Sequence, residues 1–396
     1  MTIIRSKSEL ETLCKEIDEN KRFALDLEFI PERTYEPEIC LVQVATDSGP
    51  FIIDPYEIQD LSEIWKRIAD PEILKVLHAG DQDLDLMHLN CGLLPQNIMD
   101  TQIAAGFIGF GYPIGYGKLL NQLLGISISK SESFTDWTNR PLTQSQIKYA
   151  LEDVAHLLDL HDKLVDILEE RGRIDWVIDE CKRYTEISYF EKDRTRDFMR
   201  IKGASSLPRR SLAVLRELSD WRHSEASRIN RPVKSVLADN VMFEFARHPP
   251  KNQGEIQRIR GIRADQVKQY TPAILRAVET ALQMPETEWP VWPSSRIPSK
   301  REMLISDFLF TILKIITFDL DVAAELVTTR SALEALVRLH VEGNLQPEKF
   351  PLLQGWRNEL VGEKIMEVLK GGECRLKLMS KAHPISLEVN GKRIEH

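Results

Sequence analysis

Residues 1 to about 200 read as a mostly parallel or mixed β-sheet with helices packed on it, an α/β domain, and the remainder reads as two small all-α modules. Three observations carry this fold class. Short apolar runs alternate with amphipathic stretches in the first half, the alternation stops near residue 200, and two breaks then divide the helical remainder. The breaks are Gly203–Pro208 (GASSLP) and Met284–Pro298, whose four prolines exclude a helix interior. A chain of 396 residues has room for two or three domains at roughly 100–200 residues each.

Taken in order, Arg22–Ile30 (RFALDLEFI), Ile39–Ala45 (ICLVQVA) and Phe51–Asp54 (FIID) are short apolar runs between polar or proline-containing breaks, which predicts strands of one sheet. Leu61–Ile68 reads as a helix, Ile73–Leu77 as a strand, and Asp81–Asn90 as a helix that opens on acidic capping residues. From Gln144 to about Glu169, apolar Ile147, Leu151, Val154, Leu158 and Val165 recur at helical spacing, which predicts one long amphipathic helix. The predicted domains are therefore 1–202, 208–284 and 300–380, with a polar tail at 381–396.

The 52 Lys and Arg against 61 Asp and Glu give a net charge of -9, which excludes a uniformly basic nucleic-acid coat. Yet between Phe198 and Arg216 stand Arg200, Lys202, Arg209, Arg210 and Arg216 with no acid among them. That is a local positive stripe, either a solvated face or a contact for nucleic acid. Five scattered cysteines without a CxxC pair disfavour a disulfide framework and a Cys-based zinc site. No window reaches the roughly 18 uninterrupted apolar residues of a membrane span, and the charged start is unlike a signal peptide. A soluble, cytoplasmic protein is the expectation.

Side chains two apart on a strand share a face, so Asp26 and Glu28 in ALDLEF point the same way. Two such carboxylates need a counter-charge, which a hard divalent cation supplies, unless the strand lies at a solvated edge. On a helical wheel with Ile147 at zero, Glu152 falls at about +140° among solvent residues, and Asp153 near -120° on a flank that continues into Leu157, Leu160 and Leu164. Asp153 is thus the acid expected to be partly buried. Tyr149 lies one turn before it, where i,i+4 side chains meet, as a structural hydrogen bond or as part of a site. In HAGDQDLDLM, helical periodicity does not choose among Asp81, Asp83 and Asp85, which also suit a helix N-terminus.

These segments resemble the DEDD superfamily of 3′-to-5′ exonucleases and, within it, the ribonuclease D family. The resemblance runs over most of the chain: ALDLEFIPERTYEPEICLVQ, LHAGDQDLDLM, TDWTNRPLT (Thr135–Thr143) and QIKYALEDVAHLL with its Y-x-x-x-D spacing. It implies a ribonuclease H-like sheet, four metal-binding acids at Asp26, Glu28, Asp83 and Asp153, and the tyrosine of the DEDDy subgroup at Tyr149. LRELSDWRHSEASRINRPVKSVLADNVMFEFAR resembles an HRDC module, a small helical nucleic-acid-binding domain, and AAELVTTRSALEALV with LLQGWRNELVGEKIMEVL resembles a more divergent second one.

The activity this implies is removal of 3′ nucleotides from transfer-RNA precursors and other structured RNAs as 5′-mononucleotides, by a monomer. Two Mg²⁺ or Mn²⁺ ions, ~3.5–4 Å apart, would flank the attacking and leaving oxygens. Asp26 would bridge them, Glu28 and Asp153 would complete the site of the attacking water, and Asp83 would serve the second ion. Tyr149, with an ordinary pKa of about 10, suits orienting that water better than taking its proton. Phe29 could wedge against a terminal base, and Trp137 and Arg140 could stack on substrate and hold phosphate. His78 reads as structural. The Arg200–Arg216 stripe, with Arg209 and Arg210, would hold the RNA body. The alternatives are a DNA exonuclease of Werner or proofreading type and a non-catalytic RNA-binding scaffold.

Overall fold

In the computed structural model, which describes residues 3–128, 135–191, 193–292, 298–379 and 384–393, a short strand β1 (Ile3–Ile4) leads into α1 (Lys7–Asn20). Ser6 starts that helix with a reciprocal capping box, its hydroxyl accepting from the Glu9 amide while the Glu9 carboxylate accepts from the Ser6 amide. There follow β2 (Arg22–Ile30), β3 (Glu38–Thr46), β4 (Gly49–Ile53), α2 (Ser62–Ile68), β5 (Leu74–Leu77), α3 (Asp81–Cys91), β6 (Ile98–Asp100), α4 (Thr101–Gly106) and α5 (Tyr116–Leu124). The six strands form one sheet in the order β1-β4-β3-β2-β5-β6. β3 and β4 run antiparallel, whereas β1/β4, β2/β5 and β5/β6 run parallel, so the sheet is mixed. Parallel neighbours need crossover helices, which cover the sheet and explain why β3 and β5 read as nearly continuous apolar runs. β5 does admit one charge: Lys75 is fully buried, its ammonium donating to the carbonyls of Asp70 and Ile73, each at 2.6 Å. Burial pulls its pKa down to about 7.

The long helix expected from Gln144 to Glu169 is two helices, α6 (Gln144–Ala155) and α7 (Leu157–Glu170), separated by His156 at φ -117°, ψ 9°. The break lets α6 pack on β4 while α7 packs on α4 and β5. The buried face of α6 is Gln146, Ala150 and Val154, rotated from the Ile147–Leu151 line. Gln146 can be buried because it closes a capping box with Thr143 and donates to the Thr135 hydroxyl at 3.1 Å.

The chain divides into two compact units. One is Met1–Asp26, Val42–Glu186 and Arg296–His396; the other is Leu27–Leu41 and Ile187–Ser295. After α8 (Ile174–Cys181), the second unit contains α9 (Ile187–Phe190), α10 (Arg209–Arg228), α11 (Val233–Val236), α12 (Asp239–Arg247), α13 (Gln253–Gln257) and α14 (Ala264–Gln283). α10 packs on α12 and α14 around Leu215, Leu218, Phe245 and Ile274. In the same unit the Tyr35 amide donates to Asn230 Oδ1 at 3.2 Å.

The last hundred residues belong to the unit that holds the sheet. They form α15 (Lys300–Asp319), α16 (Ala324–Val327), α17 (Arg330–Val341), α18 (Gly355–Arg357), which runs through a π-helical turn into α19 (Glu363–Leu369), and an antiparallel meander of β7 (Cys374–Leu378), β8 (Ile385–Val389) and β9 (Lys392–Arg393). Two of these strands lie where a polar tail was expected, because Leu387 and Val389 alternate inward with exposed or half-buried neighbours. Trp356 is buried against Phe107 (centroids 4.9 Å apart) and stacks on Trp176 (5.7 Å), while Arg357 pairs with Glu180 at 2.5 Å. The Ala323 amide donates to the Gly106 carbonyl at 2.7 Å, and Gly106 faces Leu326 so closely that a Cβ there would stand 2.5 Å from its Cδ1.

Candidate active site

β2 is an interior strand, hydrogen-bonded between β3 and β5, so Asp26 and Glu28 do not lie on a solvated edge. Leu25 and Leu27 are buried on the opposite alternation, and both acids are half-buried on the shared face. Asp153, from α6, brings a carboxylate oxygen to within 4.8 Å of oxygens from Asp26 and Glu28. Three like charges at that separation repel by about 3 to 4 kcal/mol per pair at an effective dielectric near 20. A bound cation would relieve that repulsion. Burial first, and then the charge of Glu152, push the Asp153 carboxyl up to about 7, against the pull of a hydrogen bond from Tyr149. Hard oxygen donors in this number, with no soft ligand among them, fit a divalent cation of the Mg²⁺ or Mn²⁺ class.

Burial separates the three acids that periodicity left equal. Asp81 is exposed and lies 3.8 Å from Arg183, Asp85 is half-buried, and Asp83 is buried in the first turn of α3. Asp83 does not join the trio within 4.8 Å. Its helix starts at Gly80 after Ala79, a non-glycine residue at φ 59°, and no side chain caps it, so the acids expected as caps do not cap.

What holds this turn is Asp100, which the motifs did not single out. It is 1% exposed. Oδ1 accepts from the amides of Ala79 (3.1 Å), Gln102 (2.8 Å) and Ile103 (3.4 Å), and Oδ2 from the Gly80 amide (3.0 Å) and the Tyr184 hydroxyl (3.3 Å). Its capping of α4 was legible as an acid before an apolar run, but its bonds to Ala79 and Gly80, about twenty residues back, were not. His78 lies 2.9 Å from both the Thr101 hydroxyl and the Ile114 carbonyl, a bridge between elements, and burial lowers its pKa. Tyr116 was also missed. Its hydroxyl donates to the Glu152 carbonyl at 3.5 Å, and burial first, with smaller contributions from Asp153 and Asp26, keeps it protonated.

Phe29 is half-buried beside Glu28. Trp137 is 3% exposed, its ring 6.0 Å from that of Tyr149, so its face meets the tyrosine and not solvent. Arg140 clasps Asp54 with two bonds (2.7 and 2.9 Å), donates to the carbonyls of Trp137 and Asn139, and lies over the Tyr56 ring. It holds the TDWTNRPLT loop. Arg209 donates to the carbonyls of Glu286 (3.1 Å) and Trp289 (3.0 Å), and Arg216 to Met284 Sδ (2.9 Å) and the Glu288 carbonyl (3.3 Å). Much of the positive stripe therefore fastens the proline-rich segment, and Arg210 is exposed.

The profile of the 3′-5′ exonuclease family matches residues 1–169, and that of the HRDC domain matches 211–278. A protein named Ribonuclease D from Gluconacetobacter diazotrophicus is 34% identical over 377 residues, covering 94% of each chain. One of the same name from Bartonella henselae is 30% identical over 373 residues, 94% of this chain and 90% of that one. The solved structure of Escherichia coli RNase D, described as an exoribonuclease involved in structured RNA processing, superposes with a TM-score of 0.81 at 31% identity, covering 93% of this chain and 98% of that one. The catalytic core of RRP6 from Trypanosoma brucei shares the fold at 22% identity, with a TM-score of 0.58 over 71% of this chain and 79% of that one.

Proposed function

The chain belongs to the ribonuclease D family and is a 3′-to-5′ exoribonuclease, and on that premise we propose that Asp26, Glu28, Asp83 and Asp153 hold two divalent ions, Mg²⁺ or Mn²⁺. The observation that carries this reading is the crowding of Asp26, Glu28 and Asp153 on an interior strand and its covering helix, with Asp83 buried at the start of α3. Glu28 and Asp153 would hold an ion that activates the attacking water, Asp83 would hold the other, and Asp26 would contribute to both. Bound ions would neutralise phosphate charge and lower the pKa of the attacking water.

The chain's own residues supply position. Tyr149 lies against Trp137 and donates its hydroxyl proton to Asp153, so that its hydroxyl oxygen can accept from the attacking water and orient it. Phe29, next to Glu28, packs the terminal nucleotide. Trp137 and Arg140 act through the loop they anchor. The substrates are transfer-RNA precursors and other structured RNAs, trimmed to 5′-mononucleotides by a cytoplasmic monomer. Among the described residues no helix is long and apolar enough to cross a membrane.

The test is a gel of 3′-labelled and 5′-labelled RNA beside matched DNA, with Mg²⁺, Mn²⁺ or chelator. The expected result is mononucleotide released from the 3′ label first, a ladder shortening from the 5′ label, no product in chelator, and preference for RNA. Cleavage in chelator, or internal fragments as first products, would overturn the assignment.

A further inference from the structure

The Asp100 carboxylate that ties down the start of α3 is one end of a longer series of bonds. Its Oδ2 accepts from the Tyr184 hydroxyl (3.3 Å), and that hydroxyl accepts from Arg183 (3.2 Å). Arg183 also reaches Glu180 Oε1 (3.2 Å), and Glu180 Oε2 meets Arg357 (2.5 Å) at the end of α18. All of these residues belong to the unit that holds the sheet. We propose that Arg357 is a positioning residue for the nuclease site, holding Asp83 in place through Glu180, Arg183, Tyr184 and Asp100. The inference rests on the reading of Asp83 as a metal ligand and adds what keeps that ligand still.

Each link has a physical reason to stay made. Glu180 is buried between two guanidinium groups, so the loss of either leaves a buried carboxylate short of positive charge. Tyr184 is buried too, and the Arg183 guanidinium lies over its ring, 5.0 Å from the centroid. Among the described residues, Nε of Arg183 is buried without a partner, so the terminal nitrogens fix where this side chain points. The far end is anchored. Arg357 Nε donates to the carbonyls of Leu326 (3.2 Å) and Val327 (3.1 Å), and the guanidinium lies 4.3 Å over the Trp356 ring.

The near end needs holding. Ala79 sits at φ 59°, a left-handed conformation that a residue with a Cβ adopts at a cost, and α3 has no side-chain cap. The bonds from the Ala79 and Gly80 amides to Asp100 stand in for that cap. Gly80 is pressed on β5 so closely that a Cβ there would stand 2.7 Å from Leu77 Cδ2. Asp83 follows in the first turn, so a tilt of this turn carries its carboxylate along. Groups that orient a metal ligand matter nearly as much as the ligand itself. Without Arg357, Glu180 would draw Arg183 to itself, and Tyr184 would lose the donor that aligns its hydroxyl with Asp100.

The test compares Arg357→Met, Tyr184→Phe and the double variant in the full-length protein. In chelator, amide hydrogen exchange over residues 79–83 should be faster in each single variant than in wild type. Calorimetry with Mn²⁺ should show one ion bound about tenfold more weakly, and turnover should slow about tenfold with KM for RNA unchanged. Because both substitutions cut one series of bonds, the double variant should be no worse than the poorer single one. Arg357→Lys, which keeps the charge, should bind Mn²⁺ more tightly than Arg357→Met. Arg171→Ala is the control: its ion pair with Asp321 (3.4 Å) joins the same two stretches of the unit without meeting the Glu180–Asp100 series, and its loss should leave every readout at the wild-type value. Additive losses in the double variant, or wild-type exchange and Mn²⁺ affinity in Arg357→Met, would overturn the proposal. A wild-type protein that takes up no Mn²⁺ would overturn the metal reading itself, and exchange rates taken in chelator keep that outcome apart from a failure of the series.

Discussion

Two carboxylate sites, one buried at Asp100 and one half-buried at Asp26, Glu28 and Asp153, use the same chemical group to opposite ends. Asp100 meets four amides and a tyrosine hydroxyl, so its charge is accommodated by donors and the site is complete as folded. Asp26, Glu28 and Asp153 crowd one another within 4.8 Å, so that even with the hydrogen bond from Tyr149 to Asp153 a bound cation would relieve their mutual repulsion. Burial alone therefore does not mark function. The sign of what surrounds a buried acid does: donors make it a structural tie, and further acids make it a place for a cation.

Four substitutions break or sharpen this contrast. Asp26→Asn should reduce RNA hydrolysis on the order of 10³-fold, yet leave the metal-free protein as stable as before or more so, since it removes a like charge. Hydrolysis rates and melting in chelator check both halves; a large loss of metal-free stability would show that the trio is a structural network. Asp100→Asn should do the converse, lowering stability by about 2–3 kcal/mol because its amide cannot accept from every donor that converges there. Chemical denaturation reads this, and an unchanged midpoint would mean that the Ala79–Gly80 turn needs no tie.

Tyr149→Phe is expected to slow turnover roughly tenfold or more while calorimetric Mn²⁺ binding is retained; lost metal binding would make the ring a structural support of Asp153. The last prediction concerns a buried lysine of the same sheet. The folded pKa of Lys75, about 7, lies below its unfolded value of 10.5. Between those values the unfolded chain binds more protons, so the contribution of Lys75 raises stability as pH climbs from about 7 to about 10, and protonation of the folded state below about 7 ends the gain. Lys75→Met should flatten that slope in melting curves. A slope that persists would place its origin elsewhere.

The sequence made some of this legible for physical reasons that operate over a few residues. Asp26 and Glu28 share a face because strands alternate, and the wheel separated Asp153 from Glu152, although the buried face of α6 is centred on Ala150 and not on Ile147. Asp83 needed either the family resemblance or its burial to stand out from Asp81 and Asp85. The tie from Asp100 to Ala79 and Gly80 and the bond from Tyr116 to Glu152 were illegible because those partners are backbone groups twenty or more residues away. Arginines misled for the same reason: Arg140 and Arg209 looked like phosphate binders until their distant carboxylate and carbonyl partners were visible. Periodicity over a full helix also hid the break at His156, which tertiary packing imposes.

The seating of Trp356 against Phe107 and Trp176 has a consequence for synthesis. The sheet and its helices leave the ribosome long before Trp356, which trails Trp176 by 180 residues (356 minus 176). At roughly 5–20 residues per second, the aromatic face of the nascent nuclease stays uncovered for about 10–40 s. During that interval Phe107 and Trp176 are candidates for chaperone capture, and a message that ends early would leave them bare for the lifetime of the product.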